Sequence, residues 1–211
     1  KESYENRRLR RELIHTETEA KAALAKVPHS SNFNGIFIQP ELEAFRMKVV
    51  LFCGGLGLRL REFSEHLPKP MVPIGSHPIL WHIMKYYAHY GHTDFILCLG
   101  FGAQIVKNYF LNYNEYLSND FVLSQGGKHL QLFHSDIEDW NITFVDSGLH
   151  SNIGQRLKAV ERYLGDDEVF LANYSDGLSD LPLPEQITHF HQQGKIASFL
   201  CVVPNLSSHF V

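Results

Sequence analysis

The residues between Val49 and Gly75, VVLFCGGLGLRLREFSEHLPKPMVPIG, carry the clearest chemical signal in this sequence. An apolar run leads directly into a glycine-rich segment that starts at Gly54; Arg59 follows it, and Lys69 lies between two prolines. Such a loop at the end of a buried strand lets backbone N–H groups approach a phosphate closely. The two cationic side chains supply the charge neutralisation that a polyphosphate needs. The pattern indicates a binding site for a nucleoside triphosphate.

Two better-known phosphate-binding loops are excluded by the spacing of these glycines. The dinucleotide motif G-x-G-x-x-G would begin at Gly55 and would need its third glycine where Leu60 occurs. The Walker A loop needs a Gly-Lys-Ser or Gly-Lys-Thr sequence, and neither is present. The glycines alone would also suit a tight turn between a strand and a helix. Arg59 and Lys69 favour the phosphate-binding interpretation, because a plain turn does not need them.

A second candidate site follows the apolar residues around Phe170, where the sequence continues LANYSDGLSD. A strand at this point would deliver Asp176 to the carboxyl end of a sheet, immediately before a glycine. Mg²⁺ is commonly held by one or two carboxylates together with substrate phosphates. The alternative is an ordinary Asp-Gly turn, and Asp180 is expected only to cap or solvate the loop. Beside a triphosphate site, we favour Asp176 as a ligand of Mg²⁺.

A third candidate is Arg156, in the segment SNIGQRLK that begins at Ser151. The apolar spacing places Arg156 in the first turn of a helix, where the helix dipole disfavours a cation. An anion bound in the same site would explain a cation at that position. A surface arginine is the alternative.

Composition excludes several classes of function. The 211 residues are 44% hydrophobic, enough for a core, and the net charge of −4 argues against a dedicated nucleic-acid binder. We predict no membrane association, because no apolar run is long enough to span a bilayer and the N-terminal residues are too charged for a secretory signal. Three cysteines in apolar runs, without metal spacing, predict reduced structural thiols and a cytoplasmic protein. Among the 13 histidines the close pairs are His89 with His92 and His189 with His191; neither has a Cys or carboxylate partner at zinc spacing, so solvated histidines on helix faces are expected rather than a zinc site.

Strands and helices are predicted to alternate after Met47. Such alternation is typical of an α/β protein with a Rossmann-like, mostly parallel sheet that carries helices on both faces. Ligands in these sheets bind beyond the carboxyl ends of the strands, which would bring Gly54 and Asp176 together. The predicted strands cover residues 47–53, 94–99, 128–134, 140–146, 168–172 and 196–203, and the predicted helices cover 76–90, 103–112, 153–164 and 184–194.

The chain is predicted to divide near Met47. Residues 1–46 contain a charged helical run followed by a loop, and we interpret them as an N-terminal extension that is helical or poorly ordered. Residues 47–211 form the predicted catalytic domain. We expect this domain to be truncated before its C-terminal part.

Four separate segments, GGLGLRL with PKPMV, PILWHIMK, WNITFVDSG with IGQRLK, and NYSDG, resemble motifs of the sugar-nucleotide pyrophosphorylases. These are nucleotidyltransferases that act on sugar 1-phosphates and have GT-A-like folds. The resemblance runs from Met47 to about Phe199 and is particularly close to glucose 1-phosphate cytidylyltransferases. It implies the reaction of CTP with glucose 1-phosphate to give CDP-glucose and pyrophosphate, a step of nucleotide-sugar and polysaccharide biosynthesis. It also implies a Mg²⁺ cofactor, and we expect a homo-oligomer in the full-length protein.

The resemblance assigns roles to individual positions of this sequence. Arg59 would neutralise the departing β- and γ-phosphates, Lys69 would contact the α-phosphate, and Asp176 would bind Mg²⁺. Cys53 would lie near the base. The remaining nucleotide-binding positions that it implies are Gly54, Gly55, Leu56, Gly57, Leu58, Ser151, Gly154 and Arg156.

The sequence departs from the family pattern at two points. Leu58 occurs where the family has Thr or Ser, so one hydroxyl donor to phosphate is missing, and Ser175 replaces a glycine before Asp176. The second metal-binding aspartate of the family is expected beyond Val211, so this fragment alone is predicted to be inactive. Three alternatives stay open: another base or sugar, a GT-A-like glycosyltransferase, and a non-catalytic nucleotide-binding module.

Overall fold

The computed structural model describes residues 46–55 and 67–201. The predicted N-terminal extension therefore lies outside the described residues, except for Arg46. The regular elements within the described ranges are β1 (Val49–Phe52), β2 (Pro73–Ile74), β3 (His77–Pro78), α1 (Ile79–His89), β4 (Asp94–Leu99), α2 (Ala103–Leu111), β5 (Phe121–Ser124), β6 (His129–Leu132), β7 (Asn141–Asp146), α3 (Ile153–Leu164), β8 (Leu171–Tyr174) and α4 (Leu183–Gln193).

A four-stranded sheet in the order β7-β4-β1-β8 forms the centre of the fold, and every neighbouring pair in it is parallel. Val49 of β1 pairs with Phe95 of β4 on one side and with Leu171 of β8 on the other. The strands therefore end at the same edge of the sheet, and Gly54 follows the end of the strand between β4 and β8. Two short antiparallel hairpins, β2–β3 and β5–β6, lie apart from this sheet.

The two faces of the sheet contribute to separate apolar clusters. Val49 and Leu51 belong to one cluster, which includes buried residues of α1 and α2, and Val50 belongs to the other, which includes Val160 of α3. Successive residues of a strand point to opposite faces, so a strand covered on both sides must be apolar throughout. All three valine and leucine residues of β1 are fully buried. The predicted fold class, a parallel sheet with helices on both faces, is confirmed.

The helix predicted from residue 76 begins three residues later, at Ile79. His77 and Pro78 pair instead with Pro73 and Ile74 in the β2–β3 hairpin. Pro78 has extended backbone angles at the helix N-cap, and the Ile79 N–H donates to the Val72 carbonyl oxygen at 2.9 Å. This hairpin connects the segment containing Lys69 to α1.

The prediction of a buried strand over residues 196–203 is wrong for its described part. Up to Cys201 this segment forms no strand, and the side chains of Ile196 and Phe199 are exposed. A strand requires a neighbour that pairs with its backbone, and no described strand pairs with these residues. The strand predicted for 168–172 lies slightly later, at Leu171–Tyr174, and β5 had not been predicted.

No helix among the described residues is long and apolar enough to cross a bilayer.

Candidate functional site

A cleft of about 580 Å³ opens at the carboxyl ends of β1 and β8. It is the place where parallel sheets bind ligands, because loops diverge from neighbouring strands there. Seven residues predicted from the sequence line it together: Cys53, Gly54, Gly55, Lys69, Ser151, Arg156 and Asp176. Segments that are far apart in sequence thus converge on a single site.

Lys69 and Asp176 face each other across this cleft. The Lys69 ammonium donates to the Asp176 carboxylate, with 3.3 Å between Nζ and Oδ2, although 107 residues separate the two in sequence. Both side chains are partly exposed, so solvent weakens the ion pair. A ligand that enters the cleft can therefore reach both groups. A cation and a carboxylate at this distance can each contact an adjacent part of a phosphate–metal complex.

The backbone around Lys69 is held by packing against the N-terminus of α2. Lys69 begins a short 3-10 turn that follows Pro68, and its neighbours Pro70 and Met71 are buried. Gly102, with φ of +68°, lies directly against Pro68: a Cβ at position 102 would come within 2.5 Å of the proline Cγ. The close approach requires glycine at 102, and it fixes the proline that precedes the lysine.

Asp176 is positioned by the residue before it. Ser175 is buried, and its hydroxyl donates to the Phe52 carbonyl oxygen at 2.8 Å. This hydrogen bond joins the end of β8 to the end of β1, next to the glycine loop. Ser175, which replaces a glycine of the family pattern, therefore has a structural partner of its own.

Arg156 lies in the first turn of α3, as predicted, but its surroundings differ from the prediction. The side chain is buried and donates to the Leu99 carbonyl oxygen at 3.2 Å, the Ser147 hydroxyl at 2.6 Å and the Gly54 carbonyl oxygen at 3.0 Å. These oxygen dipoles offset the unfavourable helix-dipole field, so an anion is not needed to explain the cation. A contact between Arg156 and a nucleotide stays a prediction.

The N-terminus of α3 forms one wall of the cleft. Asn152 caps the helix: its side chain accepts from the Gln155 N–H at 2.9 Å, and the Gln155 side chain accepts from the Asn152 N–H at 2.8 Å. Such a capping box stabilises a helix start by about 1 kcal/mol. Ser151 borders the cleft just before this cap, whereas Gly154 does not line it.

Cys53 lies at the inner end of the cleft and is almost completely buried. Its thiol donates to the Leu51 carbonyl oxygen at 3.5 Å, and burial raises the pKa of Cys53 to about 12. The group is therefore a neutral thiol at physiological pH. It can contribute shape and a weak donor to the site, but not a thiolate nucleophile.

The three cysteines are expected to differ in reactivity. Cys53 and Cys98 are buried and burial raises the pKa of Cys98 to about 11, whereas Cys201 is exposed. Because the thiolate is the reactive form, alkylation of the folded protein at pH 8 should label Cys201 and spare the other two. Peptide mass spectrometry after iodoacetamide treatment measures this directly. Equal labelling of all three before denaturation would contradict the burial of Cys53 and Cys98.

The described residues fit a metal ion only if the substrate supplies most of its ligands. Among residues 46–55 and 67–201, no group of three or more His, Cys, Asp or Glu side chains is close enough to hold a metal. Asp176 offers one accessible carboxylate at the cleft. This is the donor set that Mg²⁺ uses when phosphates and waters complete its shell.

Sequence reasoning did not identify several other residues that line the cleft. Asn152 and Ile153 come from the start of α3, and the aromatic ring of Tyr174, which is exposed, comes from the end of β8 next to Phe52. These three residues lie within two positions of Ser151 or Asp176 in the sequence, and that proximity could have identified them. Four predicted residues, Leu56, Gly57, Leu58 and Arg59, lie outside the described residues.

The sequence of this chain is similar to those of nucleotidyl transferases. The profile of the family described as "Nucleotidyl transferase" matches residues 48–210. Glucose-1-phosphate cytidylyltransferase from Salmonella typhimurium strain LT2 is 44% identical over 158 residues, which cover 75% of this chain and 61% of that protein. The enzyme of the same name from Salmonella typhi matches equally well. The chain thus spans about three fifths of the length of these curated relatives.

Solved structures share the fold at lower sequence identity. UTP-bound UGPase from Acinetobacter baumannii superposes with a TM-score of 0.54 at 19% identity, over 71% of this chain and 54% of that one. At this identity, the likeness supports the fold of the sheet and no finer point.

Proposed function

Because the chain belongs to the nucleotidyl transferase family, we propose that the whole protein transfers the cytidylyl group of CTP to glucose 1-phosphate. The products are CDP-glucose and pyrophosphate. The choice of base and sugar is supported by the similarity to two glucose-1-phosphate cytidylyltransferases at 44% identity.

The observation that carries the proposal is the convergence of Lys69, Asp176 and the Gly54–Gly55 backbone on one cleft. A cation, a carboxylate and glycine backbone at the carboxyl edge of a parallel sheet match the chemistry of a triphosphate bound with a divalent metal. A pocket for an uncharged ligand would not need the exposed Lys69–Asp176 pair.

The reaction requires positioning and charge stabilisation more than covalent catalysis. A phosphate oxygen of the sugar 1-phosphate attacks the α-phosphorus of CTP, a new P–O bond forms, and the bond to the bridging oxygen of pyrophosphate breaks. Lys69 would neutralise charge that develops on the α-phosphate, and the Gly54–Gly55 loop would orient the nucleotide. Arg59 would interact with the departing β- and γ-phosphates.

Asp176 would hold Mg²⁺ in this scheme. A bound Mg²⁺ supplies Lewis acidity, which lowers the charge on the phosphate oxygens. The Asp176 carboxylate accepts from Lys69 at 3.3 Å, so it lies next to the cation that would contact the α-phosphate.

We place the protein in the cytoplasm, as a homo-oligomeric enzyme of nucleotide-sugar and polysaccharide biosynthesis. The chemistry of the substrates supports this setting, since CTP and sugar 1-phosphates are soluble and highly charged. Nucleic acids and membranes have no role in the proposed reaction.

Base choice gives a direct test. We expect the full-length protein to release pyrophosphate from CTP and glucose 1-phosphate with a higher kcat/KM than from UTP, dTTP, ATP or GTP. The measurement is a coupled pyrophosphate assay of each NTP against several sugar 1-phosphates. A higher kcat/KM with UTP would overturn the assignment of the base and leave the reaction class intact. Transfer of sugar from an NDP-sugar, without pyrophosphate release, would overturn the class.

A further inference from the structure

The acceptors that surround the Arg156 guanidinium come from three different strands of the sheet. Gly54 follows the end of β1, Leu99 ends β4 and Ser147 follows β7, and each accepts a hydrogen bond from this one side chain. A planar guanidinium with several fixed donors can bridge groups in this way, whereas the single ammonium of lysine cannot reproduce the fork. From α3, Arg156 thus ties together the carboxyl ends of three neighbouring strands.

We propose that Arg156 is a positioning residue that orients the peptide between Gly54 and Gly55, at the start of the glycine-rich loop. Ser147 and Gly100 are its supporting partners. Its effect on the loop is a property of the fold, and its effect on turnover rests on the proposed function. In this arrangement Arg156 acts through the Gly54 backbone and makes no direct contact with a phosphate.

Peptide geometry explains how this orientation would work. The Gly54 carbonyl and the Gly55 N–H belong to one planar trans unit, so they point in opposite directions. The Gly54 oxygen is held by Arg156 at 3.0 Å and also accepts from the Phe101 N–H at 3.4 Å. Fixing this oxygen therefore fixes the direction of the Gly55 N–H, a donor in the part of the loop that lines the cleft.

Steric contacts support the same arrangement. A Cβ at Gly54 would collide with the Arg156 guanidinium, and a Cβ at Gly100 would come within 2.7 Å of the Gly54 oxygen. Neither glycine has a positive φ, so what each position requires is space rather than a special backbone conformation. The two backbones and the guanidinium occupy a volume that admits no further side-chain atom.

Ser147 completes the connection. Its hydroxyl donates to the Leu99 carbonyl oxygen at 2.7 Å while it accepts from Arg156 at 2.6 Å, and its side chain is buried with the arginine. The serine therefore holds the guanidinium against the end of β4. Removing its hydroxyl should loosen Arg156 without changing any charge.

Three variants of the full-length protein separate positioning from a direct charge contact: Arg156→Lys, Arg156→Gln and Ser147→Ala. The matched control is Arg162→Lys, an exposed arginine on the same helix. Amide exchange of residues 49–55 is measured without nucleotide, and CTP affinity is measured by calorimetry at low and high salt. Charge removal at a direct phosphate contact would reduce the salt dependence of binding.

We expect Arg156→Lys and Arg156→Gln to accelerate exchange in residues 49–55 alike. Both should lower kcat/KM by about 10²-fold, as a misplaced binding group does. Ser147→Ala should show a smaller effect of the same kind. The salt dependence of CTP binding should match that of the unchanged protein in all three variants. Arg162→Lys should change neither the exchange of residues 49–55 nor kcat/KM.

Two results would overturn the proposal. The first is near-normal CTP affinity in Arg156→Lys, combined with weaker CTP binding and a weaker salt dependence of that binding in Arg156→Gln. That pattern would mean that only the positive charge at position 156 matters. The other is unchanged exchange of residues 49–55 in both Arg156→Lys and Ser147→Ala. Should the protein bind no CTP, the proposed function fails, and the exchange measurement still decides the positioning role.

Discussion

Replacing Lys69 with alanine is expected to lower kcat by about 10²–10³-fold, a loss of roughly 3–4 kcal/mol of transition-state stabilisation, by analogy with the loss of one preorganised donor. The side chain lies in the cleft opposite Asp176, and its backbone is held by the packing of Pro68 against Gly102. A cation fixed in this way needs no reorganisation when charge develops on the α-phosphate. The measurement is steady-state pyrophosphate release by the full-length protein.

The charge of Lys69 alone should not be sufficient. Lys69→Arg is expected to recover little of the rate, because a planar guanidinium does not occupy the position of a compact ammonium on a restrained turn. The control is Lys158→Ala, which removes an exposed lysine of α3 whose partner is Glu161. Near-full turnover in Lys69→Ala with unchanged CTP affinity would make Lys69 a surface lysine in a proline-rich turn.

Asp176→Asn is expected to lower Mg²⁺-dependent turnover by at least about 10³-fold, since a metal held by this carboxylate would contribute several kcal/mol of charge stabilisation. Asparagine keeps the shape of the side chain but removes its charge. The Tm should change little, because Asp176 is exposed at a strand end while the neighbouring Ser175 makes the buried hydrogen bond to Phe52. The readouts are turnover and nucleotide affinity across a Mg²⁺ titration.

Asp180→Asn is the matched control for this experiment, since Asp180 is exposed on the same loop and its carboxylate is assigned no role in the site. It should titrate with Mg²⁺ like the unchanged protein. Equal activity of Asp176→Asn and the unchanged protein would remove Asp176 from the metal site. A loss of activity that higher Mg²⁺ concentrations partly restore would instead support a weakened metal ligand.

Most of the central sheet could be predicted from the chain itself. β1 and β4 are buried on both faces, and such strands are continuous apolar runs whose ends are visible in sequence. The strand at 94–99 was predicted with its observed bounds. The segment at 196–201 has the same apolar character but is exposed. An apolar run indicates that a segment could be buried, whereas backbone pairing with a neighbour decides whether it becomes a strand.

The cleft likewise has features that the sequence predicted and features that only the structure showed. The topology of a parallel sheet placed Gly54 and Asp176 at one edge, because parallel strands bring their carboxyl ends together, whereas Lys69 was assigned to the same site from its charge and the family resemblance. The interactions of Arg156 could not be predicted from sequence. Local helix electrostatics suggested an anion, but the actual partners are oxygens of Gly54, Leu99 and Ser147, which only folding brings around the guanidinium.

The amino-acid sequence by itself determined the fold class, the residues available for chemistry and the sheet edge at which they meet, because these depend on local patterns and on the direction of parallel strands. The tertiary structure alone decided which charges face the cleft and which are satisfied by the protein. Lys69 pairs with Asp176 in the cleft, while the Arg156 guanidinium donates hydrogen bonds to buried backbone and side-chain oxygens. The physical reason is that desolvation and hydrogen-bond geometry depend on atoms from distant segments, and a linear pattern does not contain their distances.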